Sequence, residues 1–450
     1  MAGKKQSLTP EEKLSQALLP REEWPYELPK GWVWTRIETC VKVSKEKTDD
    51  FRNPLLKYIG LENFESNKGI ISFSSASNVK STKNVFHSGQ ILYGKLRPYL
   101  NKHDIVDFEG ICSTDILVID TLNICIPSYF NSYLDLDQFI AYAIQNSKGI
   151  NLPRVNENTI MQAAFPLPPL PEQQRIVARI ESLFAKLDAA RDKLQQVLDT
   201  QEARRAAILH KAFTGQLTGH KGSAECRGKR EEEGLQNPEG TEFVPEGWKN
   251  IELKDCIQLL SGQDFPRNKY NDENEGIPYI TGASNFLNNH VIINRWTSTP
   301  TVIAKENDIL LVCKGSGYGK VCIADFQEAH IARQIMALRP NAFINNRFLY
   351  YYLQNMYKTL RNQGQGLIPG ISRKVVLNLN ITLPPLDEQQ KIVQFLDRFD
   401  RQNDKVNTLI QQSLSQIDLL KKSILARAFR GQLGTQDPSD PDARDLLTSE

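Results

Sequence analysis

LPPLPEQQRIV (167–177) and LPPLDEQQKIV (383–393) are one line written twice. The copies differ at two of eleven positions and lie 216 residues apart. Two other landmarks keep that offset. ILHKAFTGQL, from Ile208, returns as ILARAFRGQL from Ile424, and LPKGW, from Leu28, returns as VPEGW from Val244. Between the landmarks the register drifts: YIGLENF (Tyr58) aligns with YITGASNF (Tyr279) at an offset of 221. It returns to 216 where LPRVNENTI (Leu152) meets IPGISRKVV (Ile368). The chain is therefore a tandem repeat, each copy a variable interior of about 140 residues followed by a shared segment of about 45.

The shared segment reads as a long helix. NLNITL (378–383) alternates like a strand, and Leu-Pro-Pro-Leu then enforces an extended entry, because proline disfavours helix in the residue before it. Pro171 suits a first helical turn and Asp387 an N-cap, while Glu172 and Glu388 sit favourably in the helix dipole. No Pro or Gly follows until Gly215 and Gly431. Apolar residues recur at alternating steps of four and three, the coiled-coil spacing. The first seam runs Ile176, Ile180, Leu183, Leu187, Ala190, Leu194, Val197. The second runs Ile392, Leu396, Phe399, Asn403, Val406, Ile410, then Leu414, Ile417 and Ile424. Asn403 either fixes register as a lone polar seam residue or sits at the seam's edge. A helix of this length, roughly 60 Å at 1.5 Å per residue, cannot bury such a seam alone. Two copies paired antiparallel can, and would give a pseudo-twofold rod with a variable domain at each end. The other arrangement packs each helix on its own globular domain.

The bulk composition bounds the function. At 450 residues, 40% hydrophobic and 24% charged, the chain is expected to be globular, with several domains. No apolar run approaches a membrane span, and the opening MAGKKQSLTPEEKLSQ lacks the apolar core of a signal peptide, so a cytoplasmic protein is expected. Seven scattered cysteines (40, 112, 125, 226, 256, 313, 322) with no C-x-x-C argue against a zinc site or a disulfide framework. H-E-x-x-H and G-x-S-x-G are missing. GSGYGK (315–320) fails the phosphate-loop spacing and reads as a Gly-rich hairpin. The Asn/Asp-Pro-Pro-aromatic tetrapeptide of amino-methyltransferases is missing as well, so no catalytic residue, cofactor site or metal site is expected.

Charge distribution says more than the net +2. Between Glu65 and Asp104 there is no acid, while Lys68, Lys80, Lys83, Lys95, Arg97 and Lys102 accumulate. Between Glu328 and Asp387 there is again none, while Arg333, Arg339, Arg347, Lys358, Arg361, Arg373 and Lys374 accumulate. Two acid-free basic stretches, one per interior, are what a polyanion partner requires. The densest clusters, YGKLRPYLNK (93–102) and CKGSGYGK (313–320), each follow an Ile-Leu strand. The candidate DNA contacts are Lys80, Lys83, Tyr93, Lys95, Arg97, Tyr99 and Lys102 in the first interior. In the second they are Lys314, Ser316, Tyr318, Lys320, Arg333 and Gln334. Glycines 315, 317 and 319 would let a phosphate approach backbone amides. A solvated surface charge accounts equally well for about half of the lysines. Arg333-Gln334 and Thr114-Asp115 hold similar places before the next strand, where they either read bases or close the strand. The tyrosines of RFLYYYLQNMYKTL are expected in the core.

Taken together, the duplicated line, the two AF-x-G endings, the P-x-G-W entries and YGKLRPYL…STDILVI resemble the specificity subunits of type I restriction–modification enzymes over nearly the whole chain. The resemblance implies an α+β protein: two mixed target-recognition domains (28–170 and 244–386) joined by two long helices (171–217 and 387–433) in an antiparallel coiled coil. An N-terminal arm with a short helix (1–27), a flexible linker (218–243) and a disordered tail (434–450) complete the expected organisation. Each recognition domain would read one half of a bipartite double-stranded DNA site, asymmetric here because the interiors differ. Two modification subunits using S-adenosylmethionine, and restriction subunits using ATP and Mg, would supply the chemistry. Two other readings compete. A coiled-coil scaffold without DNA reading leaves the basic stretches unexplained, and a self-contained nuclease or methyltransferase lacks its motifs.

Overall fold

The structure, a computed structural model, describes residues 10–448 except 52, 54, 67, 77, 78, 80, 220–243, 288, 316 and 363–369. The expected linker lies almost wholly outside the described residues. The chain divides into two compact units: unit 1 is Met1–Leu194 with Gln411–Glu450, and unit 2 is Gln195–Ile410.

Both units are built to one topology. In unit 1 an antiparallel sheet runs in the order His103–Ile105, Ile91–Gly94, Ile116–Thr121, Val41–Val43. A second sheet runs Lys47–Thr48, Lys83–Phe86, Gly110–Cys112, Lys57–Ile59, Ser74–Ser75 and is mixed, because Gly110–Cys112 lies parallel to Lys57–Ile59. Unit 2 repeats the first sheet as Val321–Ile323, Ile309–Val312, Ile335–Pro340, Ile257–Ser261. Its other sheet runs Ile303–Lys305, Glu328–Ile331, Ile277–Ile280, Trp296–Thr297, again with a parallel central pair. The central strands, ILYG, ILVIDT, ILLV and IMALRP, are apolar runs because both their faces are covered.

The sequence landmarks prove to be one joint. Pro29 and Pro245 each open a turn whose third residue, Gly31 or Gly247, adopts φ of +88° or +82°, which favours glycine. The turn delivers a tryptophan to the start of the long helix. Trp32 Nε1 donates to Glu172 Oε2 at 2.7 Å, and Trp248 Nε1 to Glu388 Oε2 at 3.0 Å. Burial raises the Glu172 carboxyl above the usual range, against the hydrogen bonds from Trp32 and Thr435. The next residue is a clamp. Gln173 is fully buried, donates to the carbonyls of Ile124 and Pro168 and accepts from the amide of Ile126. Gln389, equally buried, does the same with Phe343, Pro384 and Asn345. Gln389→Leu strands two carbonyls and one amide, so it is expected to destabilise unit 2 by about 2–4 kcal/mol in urea unfolding. A loss under about 1 kcal/mol would show that the clamp is dispensable.

The long helices are Leu170–Phe213 and Leu386–Ala428, and each contributes one part to each unit. Within unit 1 they pair antiparallel: Asp188 bonds Lys421 at 2.6 Å, and three residues further along Arg191 bonds Asp418. Within unit 2, Arg205 grips Asp400 with two nitrogens at 3.0 Å, while Leu209 and Ala212 share a core with Leu396 and Ile392. The seam departs from the expected line midway. Ile176, Ile180, Leu183, Leu187 and Leu194 are buried or half-buried, but Ala190 is exposed and Val197 is 45% exposed. Arg191 and Leu198 face inward instead. In the second helix Ile392, Leu396, Phe399 and Ile410 keep their places. Val406, 39% exposed, yields to Asn407. Both helices insert a step of four at the same point (187, 191, 194 and 403, 407, 410). Such an insertion locally unwinds a coiled coil and turns the next position inward whatever its polarity. Asn403 lies on the inward line rather than outside it.

Residues 434–448 of the tail, expected to be disordered, pack on unit 1. Ala443–Thr448 forms a helix whose Ala443 and Leu447 are buried in the unit 1 core, and the Ala443 amide bonds the Gly31 carbonyl. Arg175 of the first long helix holds Asp440 and the Thr435 carbonyl. Ala443 and Leu447, one helical turn apart, dock the segment with Leu446 and Leu433 packed beside them, and its polar flanks hid them.

Candidate nucleic-acid interface

In each unit three loops meet at one end of the strands. In unit 1 the Lys95 amide bonds the Asp115 carbonyl (2.8 Å), the Val155 amide bonds the Lys95 carbonyl (3.0 Å), and the Arg97 amide bonds the Pro153 carbonyl (2.7 Å). In unit 2 the Cys313 amide bonds the Gln334 carbonyl (2.7 Å) and the Ile371 amide the Cys313 carbonyl (2.8 Å). Leu96 bridges Arg154, and Lys314 bridges Gly370. The loops that follow the Ile-Leu strands also have equal length: the Gly94 amide bonds back to Lys102, and that of Val312 to Lys320.

The sequence candidates sort into three groups on this frame. Arg97, Tyr99, Lys314, Lys320 and Arg333 are exposed, and Gln334 is half-buried beside them on its turn. Arg97 takes a left-handed conformation (φ +53°), at the position Gly315 (φ +89°) fills in unit 2. The second group is committed to the fold. Lys102 Nζ donates to the Leu61 carbonyl at 2.6 Å, Lys83 Nζ to Ser81, and the Tyr318 hydroxyl to the Arg361 carbonyl at 3.0 Å. Lys95 is half-buried, and burial pulls its ammonium below the usual lysine value while Asp115 opposes the shift. The third group is a correction. Tyr93 is 1% exposed, in a strand, packed edge-on against Phe139 and stacked on His103, so it is core. Burial raises its hydroxyl far beyond the usual range. Lys80 and Ser316 lie outside the described residues.

The glycine loop is also corrected. Of its three glycine amides, that of Gly319 bonds the Val312 carbonyl and so closes the hairpin instead of facing a phosphate. Among the basic residues of the second acid-free stretch, Arg339 and Arg347 are ion-paired to Asp308 and Asp397, and Arg373 donates to the Leu259 carbonyl. These arginines hold the fold. Tyr350, Tyr351 and Tyr352 are buried, as expected of this segment's tyrosines, whereas Tyr357 is half-buried.

Sequence reasoning missed Arg154, which lies outside the acid-free stretch. It is exposed and pairs with Asp115 at 2.5 Å. Its legible signal was its place in LPRVNENTI, the landmark that returns to the constant offset. His103 was missed for a different reason. It is buried, bonds Asn131 (2.8 Å) and Asp135 (3.0 Å), and so anchors the strand that leaves the 95–102 loop. Desolvation lowers its pKa most, but the bonds to Asp135 and Asn131 and the charges of Asp135 and Asp104 together outweigh that, and the net shift is upward.

At the same topological turn, then, unit 1 offers Thr114 and Asp115 with Arg154 behind them, and unit 2 offers Arg333 and Gln334 with Gly370 behind them. Among the described residues no cluster of His, Cys, Asp and Glu could hold a metal ion, and no helix is long and apolar enough to cross a membrane.

The family model for the type I restriction modification DNA specificity domain matches residues 29–199 and again 245–416. The chain belongs to this family. Each match ends within a long helix, as the paired halves described above require. Among relatives of the specificity family, a putative type I restriction enzyme specificity subunit, MjaX of Methanocaldococcus jannaschii, is 26% identical over 409 residues, 90% of this chain and 87% of that protein. Among solved structures, the HsdS subunit from Thermoanaerobacter tengcongensis superposes with a TM-score of 0.61 at 27% identity, covering 91% of this chain and 99% of that one. A chain from a structure of type I restriction–modification complex assembly superposes with a TM-score of 0.78 at 26% identity, covering 91% and 100%.

Proposed function

We propose that the chain reads a bipartite, asymmetric double-stranded DNA site, one half with each unit, and holds the enzymatic subunits of a type I restriction–modification complex on it. One observation favours this most. Two units that share a four-stranded sheet and a parallel central strand pair present unlike polar sets at the same loop ends, as two readers of unlike half-sites must. Residues 28–170 and 244–386 would be the readers, and Arg97, Tyr99, Lys314, Lys320, Arg333 and Gln334 their exposed contacts. The chain itself is a specificity subunit and not the enzyme. Two modification subunits using S-adenosylmethionine would methylate, and restriction subunits using ATP and Mg would cleave.

The test is a binding titration of the specificity and modification subunits together, on DNA carrying the methylation site mapped in a host that expresses the system. The mapped duplex is expected to bind at least about 1000-fold more tightly than scrambled DNA at the same salt. Equal binding of the two duplexes would favour the scaffold reading.

A further inference from the structure

The Arg333–Asp264 pair stands out for how much structure supports it. Arg333 Nε lies 2.6 Å from Asp264 Oδ2 in an ion pair, and the Arg333 amide donates to Asp264 Oδ1 at 3.0 Å. The arginine side chain is 66% exposed, and its terminal nitrogens bond nothing among the described residues. The segment bearing Asp264 is held on both sides. Gly262 bonds the Ile335 carbonyl and packs so closely that a Cβ there would lie 2.1 Å from the Ala332 oxygen. The Gln263 amide bonds Ile331, and its carbonyl meets His330 Nε2 at 2.8 Å. The Phe265 ring stacks on His330 with centroids 4.0 Å apart, and its amide bonds the Tyr279 hydroxyl.

Stability does not explain this. An exposed ion pair contributes little to folding and needs no such platform. Phosphate binding does not explain it either, because the aspartate cancels the charge that would attract a phosphate. What remains is orientation. An arginine ion-paired on its Nε side leaves its two terminal nitrogens as an outward fork, and that fork matches the O6 and N7 acceptors of guanine, a neutral base edge. Arg333 also sits on the turn between Ala332 and Gln334, on the loop end where unit 2 differs from unit 1.

We infer that Arg333 reads a guanine in the half-site facing unit 2, and that Asp264 is its positioning residue. The inference rests on the proposal that unit 2 reads DNA. The assembled specificity and modification subunits are titrated with duplexes of the mapped site in which each guanine in turn is replaced by 7-deazaguanine, which lacks the N7 acceptor. The wild-type complex is expected to lose roughly 10-fold in affinity at one guanine of that half-site. Arg333→Ala should lose roughly 10- to 100-fold on the natural duplex and become insensitive to the deaza substitution at that guanine only. Asp264→Asn should lose less, at the same guanine, with an unchanged salt slope. The inference is overturned if Arg333→Ala stays as sensitive as wild type at every guanine. It is equally overturned if Arg333→Ala weakens all sequences alike while the salt slope falls by about one, which marks a phosphate contact. A wild-type complex that fails to tell the mapped duplex from scrambled DNA would instead overturn the proposal of DNA reading.

Discussion

Phe429→Ala is expected to destabilise unit 1 by about 3–5 kcal/mol, the usual range for deleting a fully buried phenyl ring. Phe429 has no exposed surface, and its ring meets Tyr129 at 5.0 Å and Tyr133 at 5.6 Å. Its carbonyl accepts from the Tyr26 hydroxyl at 2.8 Å, so the backbone is fixed as firmly as the ring and has little freedom to collapse into the cavity. Phe213, its counterpart 216 residues earlier, meets Phe348 at 5.2 Å and Tyr352 at 5.7 Å but is only half-buried. Phe213→Ala should therefore cost less, about 1–3 kcal/mol in unit 2. Urea unfolding of each variant, followed by probes placed in each unit, checks both values. A loss below about 1 kcal/mol for Phe429→Ala would mean that its segment does not complete the unit 1 core. The pair explains why AF-x-G ends both helices. In each unit the interior of one repeat closes over the phenylalanine contributed by the shared segment of the other.

The repeat made much of this fold readable. Landmarks that shared an offset turned out to share bonds: Trp32 with Glu172, Trp248 with Glu388, and the two glutamine clamps. What was not readable depended on partners far away in sequence. Arg339 and Arg347 counted as free positive charge until Asp308 and Asp397, 31 and 50 residues off, were placed beside them. Tyr93 looked like a loop tyrosine because its motif runs on into YGKLRP, yet it lies in a strand whose residues are all buried. The seam drifted for a geometric reason. Apolar spacing pointed to Ala190, Val197 and Val406, whereas the extra step of four rotates Arg191, Leu198 and Asn407 inward. Loop chemistry was the least legible part. Arg97, Arg154 and Arg333 are placed by the conformation and ion pairs of their loops, which a single sequence does not encode locally.

Removing one heptad from both long helices is expected to shorten the preferred gap between half-sites by about three base pairs. The paired deletion takes 194–200 from the first helix and the equivalent 410–416 from the second, so the shared offset and the antiparallel pairing survive it. Seven residues span about 10 Å of helix, which is about three base pairs at 3.4 Å each. A heptad brings the seam back to nearly the same face, whereas three base pairs turn DNA through nearly a third of a helical turn. Methylation should therefore move to a shorter gap and also slow, because the half-sites present rotated groove faces. Deleting the heptad from one helix alone is the informative control. It sets Asp188 against the wrong turn of the second helix and breaks the pairing with Lys421, so the protein should lose stability without acquiring a new gap. Mapping methylated adenines in hosts carrying each version separates the outcomes. If the paired deletion leaves the gap unchanged, the long helices do not set the spacing, and the step of four at Arg191 and Asn407 would have no part in a ruler.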